Sequence, residues 1–546
     1  MPGGGELTLV AFGNQNSIVS ANPEITYFYK VFKRYTHFSQ ESITISMDGP
    51  NELTFDSAIR IRAKIPRSAD LLSDLTLVMD IPPMYSKFAP VPDSQEEQNR
   101  HFRWVRMLGV NMIDTVAIYV GGSKIQEFTG EWLAVRASID LPADKYLKWR
   151  TMIGDVPELN DPEWGLYGRA ANYPYEKGSY PVSVPDASGN TPAPSTPVRQ
   201  LRVPLPFWFS EIWGRALPLI SLQLHEVEVQ ITMRSLREIY RLYDLTFNKE
   251  ALRYGRGMTL DTTKPTSNDP TDPTAYDNLT LQTQYEGSND PAGLINQFYY
   301  PDGGVPVSQI GFDMNAHLEG NYVYVTTKEQ VMFAERELNE LVHQVQMFTF
   351  TGISSAQKLD LDTHGLVSRM IFFGRRSDAI DVRNDYTNLS NWKNLDQATF
   401  WPAVMSSPQT NNAGIQLQGA QRDILQSAQL ICAGNELFEV KPANFFEVQN
   451  PYTYTTGGGI SGVNPGGLRP NDVMGPLYQI NFALNSSDHD QPSGTFNASR
   501  VREIQLAVTP WPLATDSTYT YDFTVYVENL NVIKILNGMA GLQFAI

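Results

Sequence analysis

Between Ile59 and Ile65 the chain alternates without a break: Ile59, Ile61, Ala63 and Ile65 are apolar, and Arg60, Arg62 and Lys64 between them are cationic. A period of two puts every second side chain on the same face of an extended strand, so this segment predicts a strand with a core face and a solvated cationic face. The pattern recurs along the chain. Val116–Val120, Gly121-Gly122 and Ser123–Phe128 read as two strands joined by a tight glycine turn. Val227, Val229 and Ile231 share one face, and Ile504, Leu506 and Val508 share another. Tyr519, Tyr521, Phe523, Val525 and Val527 form an aromatic and β-branched stripe, the composition a pleated surface favours.

Helical spacing is scarce. Trp132, Val135 and Ile139, followed by Tyr146–Trp149, predict one or two short helices. Ala334, Leu338, Leu341, Val342 and Val345 predict another near the midpoint of the 546 residues. Strands before it and after it suggest two β domains joined there, and a chain of this length exceeds one ordinary core. Segments 177–200, 257–306 and 454–476 have the Pro, Gly and Ser content of loops and lie between good strands, so exposed insertions are expected.

The charge balance of 42 basic against 59 acidic residues, a net −17, disfavours direct binding of nucleic acid. One cysteine permits no intramolecular disulfide and fits folding in a reducing compartment. The N-terminus lacks the pattern of a signal peptide. No apolar run approaches the roughly 18 residues of a membrane span, so a protein soluble when made is expected.

Catalytic and metal motifs are missing. His225-Glu226 lacks the second histidine of a zinc-protease helix, and seven scattered histidines with one cysteine argue against a zinc site. No phosphate loop and no Gly-x-Ser-x-Gly elbow occurs. Asp360 and Asp362 have the spacing of paired carboxylates for glycoside cleavage, but a solvated strand end beside His364-Gly365 accounts for them as well. Asp378, Asp381 and Asp385 do not match a calcium loop. No catalytic, cofactor or metal residue is therefore assigned. The cationic face of Arg60, Arg62 and Lys64, with Arg67, is either a solvated strand face or a dock for an acidic neighbour. Asn278, Asn388, Asn485 and Asn497 lie in glycosylation sequons, a pattern chance also yields.

Ala21–Phe38, ANPEITYFYKVFKRYTHF, interleaves Tyr27, Phe28, Phe32 and Tyr35 with Lys30, Lys33, Arg34 and His37. Aromatic and cationic groups in this mixture suit a packed protein contact. The run resembles the N-terminal signature of the major capsid proteins of nucleocytoplasmic large DNA viruses. Pro204–Phe209 (PLPFWF) with Ala216–Ile231, then Gln491–Arg500 (QPSGTFNASR), then Asn531–Phe544 are similar to further blocks of that family, in the same order. The resemblance implies an all-β chain of two consecutive eight-stranded jelly rolls with long loop insertions and a few short helices. The expected divisions are an arm at 1–21, a first jelly roll at 22–335 and a second at 336–546. It implies a structural subunit without cofactor: a homotrimeric, pseudo-hexagonal capsomer tiling an icosahedral shell, assembled in the host cytoplasm. Its partners would be itself, neighbouring capsomers and minor capsid proteins. The inner membrane would lie nearby without insertion, and the 27–37 cluster would be an inner-face contact. The alternatives are a jelly-roll carbohydrate-binding or glycoside-cleaving protein, which needs clustered Trp and carboxylates, and a minor capsid component.

Loop composition cannot support a buried backbone without partners. Limited proteolysis of the native protein is expected to cut first within 177–200, 257–306 or 454–476; first cuts between residues 519 and 527 would contradict the strand assignment.

Overall fold

The computed structural model describes residues 3–86, 100–160, 162, 193–244, 252–253, 258–260, 279–281, 311–381, 384–391, 409–410, 416–417, 423–455, 474–513 and 519–544. Most of each of the three loop segments lies outside them.

The first half contains β1 (Phe38–Ser46), β2 (Ile59–Lys64), β3 (Leu71–Ile81), β4 (Ile113–Val120), β5 (Ser123–Thr129), β6 (Arg199–Pro204), β7 (Val227–Met233) and β8 (His317–Val325). They form two sheets, ordered β1-β8-β3-β6 and β2-β7-β4-β5. The second half contains β9 (Leu338–Ile353), β10 (Gln357–Asp360), β11 (Leu366–Arg376), β12 (Leu425–Cys432), β13 (Asn435–Glu436), β14 (Tyr478–Asn481), β15 (Ile504–Pro510) and β16 (Tyr521–Leu536). Its sheets run β9-β16-β11-β14 and β10-β15-β12-β13. The second order is the first shifted by eight. Each half is a jelly roll: antiparallel strands in two sheets around one core, with strands adjacent in sequence often placed in opposite sheets.

Sequence alternation accounts for the local structure. In β2 the isoleucines and Ala63 are buried while Arg60, Arg62 and Lys64 are exposed; in β7 and β15 buried and half-buried residues alternate in the same way. Gly121 and Gly122 turn the β4–β5 hairpin with φ of 59° and 82°, the left-handed pair that a two-residue turn matching the strand twist requires. A Cβ on Gly121 would also strike the His225 ring. Two helices, Gly130–Asp140 and Ala143–Met152, follow the hairpin, as the Trp132–Trp149 spacing predicts.

The expected helix over Ala334–Val345 is corrected. A helix covers Thr327–Glu335 and buries no residue, and Leu338–Val345 belongs to β9. β9 pairs with β16 from Leu338↔Ile535 to Phe350↔Phe523, and this ladder overrides the local helical spacing. The Tyr519–Val527 stripe forms a strand from Tyr521 onward, but it has no solvated face: every residue from Phe523 to Asn531 is buried. Tyr521, Phe523, Val525 and Val527 fill the core of the second half. Tyr526, Ile533 and Ile535 join a core continuous with that of the first half.

Candidate functional site

The junction between the halves is built from the β4–β5 hairpin and the Gly130–Asp140 helix on one side, and β9, β11 and β16 on the other. Gln126 Nε2 donates to the His343 carbonyl at 2.8 Å, and Gln344 Nε2 donates to the Ile125 carbonyl at 2.7 Å. Tyr526 hydroxyl donates to Glu131 at 3.1 Å, and Arg375 also pairs with Glu131. Burial, then the nearby Glu131 charge, pushes the Tyr526 hydroxyl well above the usual phenol range. Arg241 reaches from the first half to Asp385 at 2.6 Å, and Arg234 stacks over the Tyr386 ring at 4.4 Å. After β16 the terminal strand Met539–Leu542 folds back, and Gly538 accepts from the Leu224 backbone at 3.0 Å.

At the centre, the Arg369 side chain is fully buried between two carboxylates. It donates to Glu528 of its own half at 2.6 and 2.8 Å, and to Asp140 of the other half at 2.7 and 2.6 Å. Burial alone would push Asp140 up; the Arg369 charge and hydrogen bonds outweigh it and hold the carboxyl well below its usual range. Removing one partner of such a buried pair typically costs about 3–5 kcal/mol, because a charge is left without compensation. Ser487 also donates to Asp140, at 3.1 Å.

Beside this triad lie Glu211, His343 and His489, whose ligand-type atoms all fall within 4.8 Å of one another. Burial and the surrounding cationic groups hold the His343 imidazole well below its usual range, leaving it neutral. Nearby, Trp208 Nε1 donates to Glu340 at 2.8 Å. Burial, opposed by that bond and by Arg215, raises Glu340 to about 7.

The basic–aromatic cluster of the arm sits elsewhere. Residues 3–37 are all exposed, including the two short helices Gly4–Val10 and Asn14–Ser20. Tyr27, Phe28, Phe32 and Tyr35 are 90, 99, 79 and 84 % exposed, with Lys30, Lys33, Arg34 and His37 beside them. Of the sequon residues, Asn278 lies outside the described residues. Asn388 is 1 % exposed and accepts from Ser390, a position with no room for a glycan. Asn485 is half-buried and Asn497 exposed. Asp360 and Asp362 are exposed at the end of β10. Asp378 pairs with Arg376 and Asp385 with Arg241, so these two carboxylates serve separate ion pairs. Lys64 of the cationic face pairs with Glu226 at 3.0 Å. Trp104, Trp132 and Trp208 are core residues rather than an exposed sugar platform. The junction residues went unread in the sequence: Glu211, His343 and His489 lie far apart in the chain and match no spacing motif.

Two jelly rolls in tandem, joined through a buried polar junction, define a double jelly-roll structural subunit. Family models described as the major capsid protein N-terminus and the large eukaryotic DNA virus major capsid protein match residues 26–256 and 329–541. The major capsid protein of Chrysochromulina ericina virus is 24% identical over 100% of both chains. That of Paramecium bursaria Chlorella virus 1 is 23% identical over 99% of both. The quasi-atomic model of the PBCV-1 virus capsid superposes with a TM-score of 0.58 at 19% identity, over 95% of this chain and 100% of the other. The Faustovirus major capsid protein gives 0.57 at 15%, over 94% and 93%. The chain belongs to the major capsid proteins of large eukaryotic DNA viruses. It is a structural subunit of the virion capsid, not an enzyme, and the carbohydrate-binding alternative falls away.

Because Glu340 has its pKa raised from 4.5 to about 7 by folding, the native state binds more protons than the unfolded one in that window. Stability is therefore lost as pH rises from about 4.5 through about 7, by at most ~3 kcal/mol. Glu340→Gln, which still accepts from Trp208, is expected to melt higher than the wild type at pH 7.5 and no higher at pH 4.5. Thermal unfolding across a pH series checks this; equal melting temperatures at pH 7.5 would refute it.

Proposed function

We propose that this chain is the protomer of a homotrimeric, pseudo-hexagonal capsomer, made and assembled in the host cytoplasm. The supporting observation is the repeated strand order within one chain. Two equivalent sandwiches per chain, in three chains, give six similar lobes, a hexagonal outline with threefold symmetry that tiles a lattice. The divisions proposed are a first jelly roll at 22–335 and a second at 336–546, preceded by an arm. The exposed stretch continues past residue 21 to residue 37.

The arm supports a second part of this reading. Leu7, Leu9, Val10, Phe12, Ile18 and Val19, together with the Tyr27–Tyr35 aromatics, are between 61 and 99 % exposed. Apolar surface on this scale marks a contact with another molecule. We assign it to the inner face of the shell, against minor capsid proteins near the internal membrane. Among the described residues, no helix is long and apolar enough to cross that membrane.

A trimer carries −51, three chains of −17, so free capsomers repel one another until salt screens them. Analytical ultracentrifugation of dilute protein is expected to show a trimer at moderate salt and larger species as salt rises. A stable monomer at micromolar concentration would sink the capsomer reading.

Deleting residues 1–20 is expected to leave the melting temperature within about 2 °C of the full chain, since none of the described residues in that span is buried. Particle yield on co-expression with the other capsid components should fall. A large drop in melting temperature would instead make the arm part of the folded body.

A further inference from the structure

The geometry points to a zinc-class divalent metal site between the two jelly rolls, with Glu211, His343 and His489 as ligands. Glu211 ends the short helix Trp208–Glu211 of the first half, His343 lies on β9, and His489 follows β14. His489 Nδ1 stands 3.3 Å from His343 Nδ1 and 3.8 Å from Glu211 Oε2. Two imidazole nitrogens on one tetrahedral zinc, at metal–nitrogen distances of 2.0–2.1 Å, lie about 3.3 Å apart. A single hydrogen bond between the imidazoles would explain that distance, but would leave Glu211 Oε2, 3.8 Å from His489 Nδ1, without a partner. Glu211 has a side chain only 5 % exposed, and its Oε2 has no hydrogen-bond partner. An orphaned buried carboxylate oxygen facing two imidazole nitrogens is the donor set of a zinc ion.

The surroundings are those of a supported site. Arg136 donates to the other Glu211 oxygen at 2.6 Å, which fixes the carboxylate and leaves Oε2 to face the histidines. His489 Nε2 lies 3.6 Å from Asp140 Oδ2, which places a carboxylate behind the ring without a formed hydrogen bond. Arg136 and Arg369 pair with three carboxylates, Asp140, Glu211 and Glu528, which fixes the carboxylates around the site. Arg215 donates to the Asp490 carbonyl at 2.9 Å, and Asp488 and Asp490 line the rim of the cleft. A cleft of about 450 Å³, lined by Leu133, Arg136, Asp140, Glu211 and His489, gives a fourth coordination position access to water. An ion here would staple the two jelly rolls together and set the angle between them.

The test uses full-length wild-type protein stripped of metal, then exposed to zinc chloride, desalted and assayed by elemental analysis. About one zinc per chain is expected, with a rise of at least about 2 °C in melting temperature. Cobalt chloride should give the intense visible bands of a tetrahedral ion. Glu211→Gln and His489→Gln, checked for folding by circular dichroism, should each weaken binding at least about tenfold. Less than about 0.1 zinc retained per chain, an octahedral cobalt spectrum, or variants binding as well as the wild type would overturn the site. So would a histidine pair that binds no metal and only loosens the junction at acidic pH. None of these readouts depends on the trimer, so the site and the capsomer reading fail separately.

Discussion

The architecture depends on one strand having no face left for water. From Phe523 to Asn531, β16 is buried on both sides, because it is the inner strand of the second jelly roll and also part of the wall on which the first one leans. A strand in that position cannot alternate apolar with freely charged residues. Its polar members need partners inside the protein, since an uncompensated buried charge is far more costly than a buried methylene. Glu528 finds Arg369, Asn531 donates to the Gln344 side chain, and the Tyr526 hydroxyl finds Glu131. Each of these contacts fixes where the neighbouring element must lie. Polar pairing at the junction therefore specifies the orientation of the two halves, while apolar packing supplies the cohesion.

That division of labour explains why the junction is so rich in arginine. A guanidinium satisfies two carboxylates at once with fixed geometry, as Arg369 does, which an ammonium cannot. The same surroundings shift the neighbours in opposite directions. Asp140 keeps its charge because Arg369 faces it, whereas Glu340, whose main partner is the neutral indole of Trp208, holds its proton to near neutrality. Carboxylates in one interface thus acquire different charge states purely from what stands opposite them.

The fold was largely legible in the sequence, because burial on one face leaves a period of two. The stretch Ile59–Ile65, the Gly121-Gly122 hairpin and the β7 and β15 alternations could all be read directly, and the blocks from Ala21 to Phe544 carried the family. Reading failed where tertiary pairing outweighs local pattern. Leu338, Leu341, Val342 and Val345 have helical spacing yet belong to the longest ladder among the described residues, that with β16. The single stripe expected for Tyr519–Val527 hid a second buried face: Thr524, Tyr526 and Glu528 are buried as well, Tyr526 against Thr129 and Glu131 of the first half and Glu528 against Arg369. The junction cluster was invisible for a related reason: His343 and His489 are 146 positions apart, and only folding brings them to the same point.

The terminal strand has a consequence for the order of events during synthesis. His225 Nδ1 lies within hydrogen-bonding distance of both the nitrogen and the oxygen of Ala540, 315 residues later. A ribosome has therefore released every strand of the first jelly roll, and nearly all of the second, before the contact that closes the junction can form. Nascent chains that stall before residue 538 carry two sandwiches with an unfinished seam.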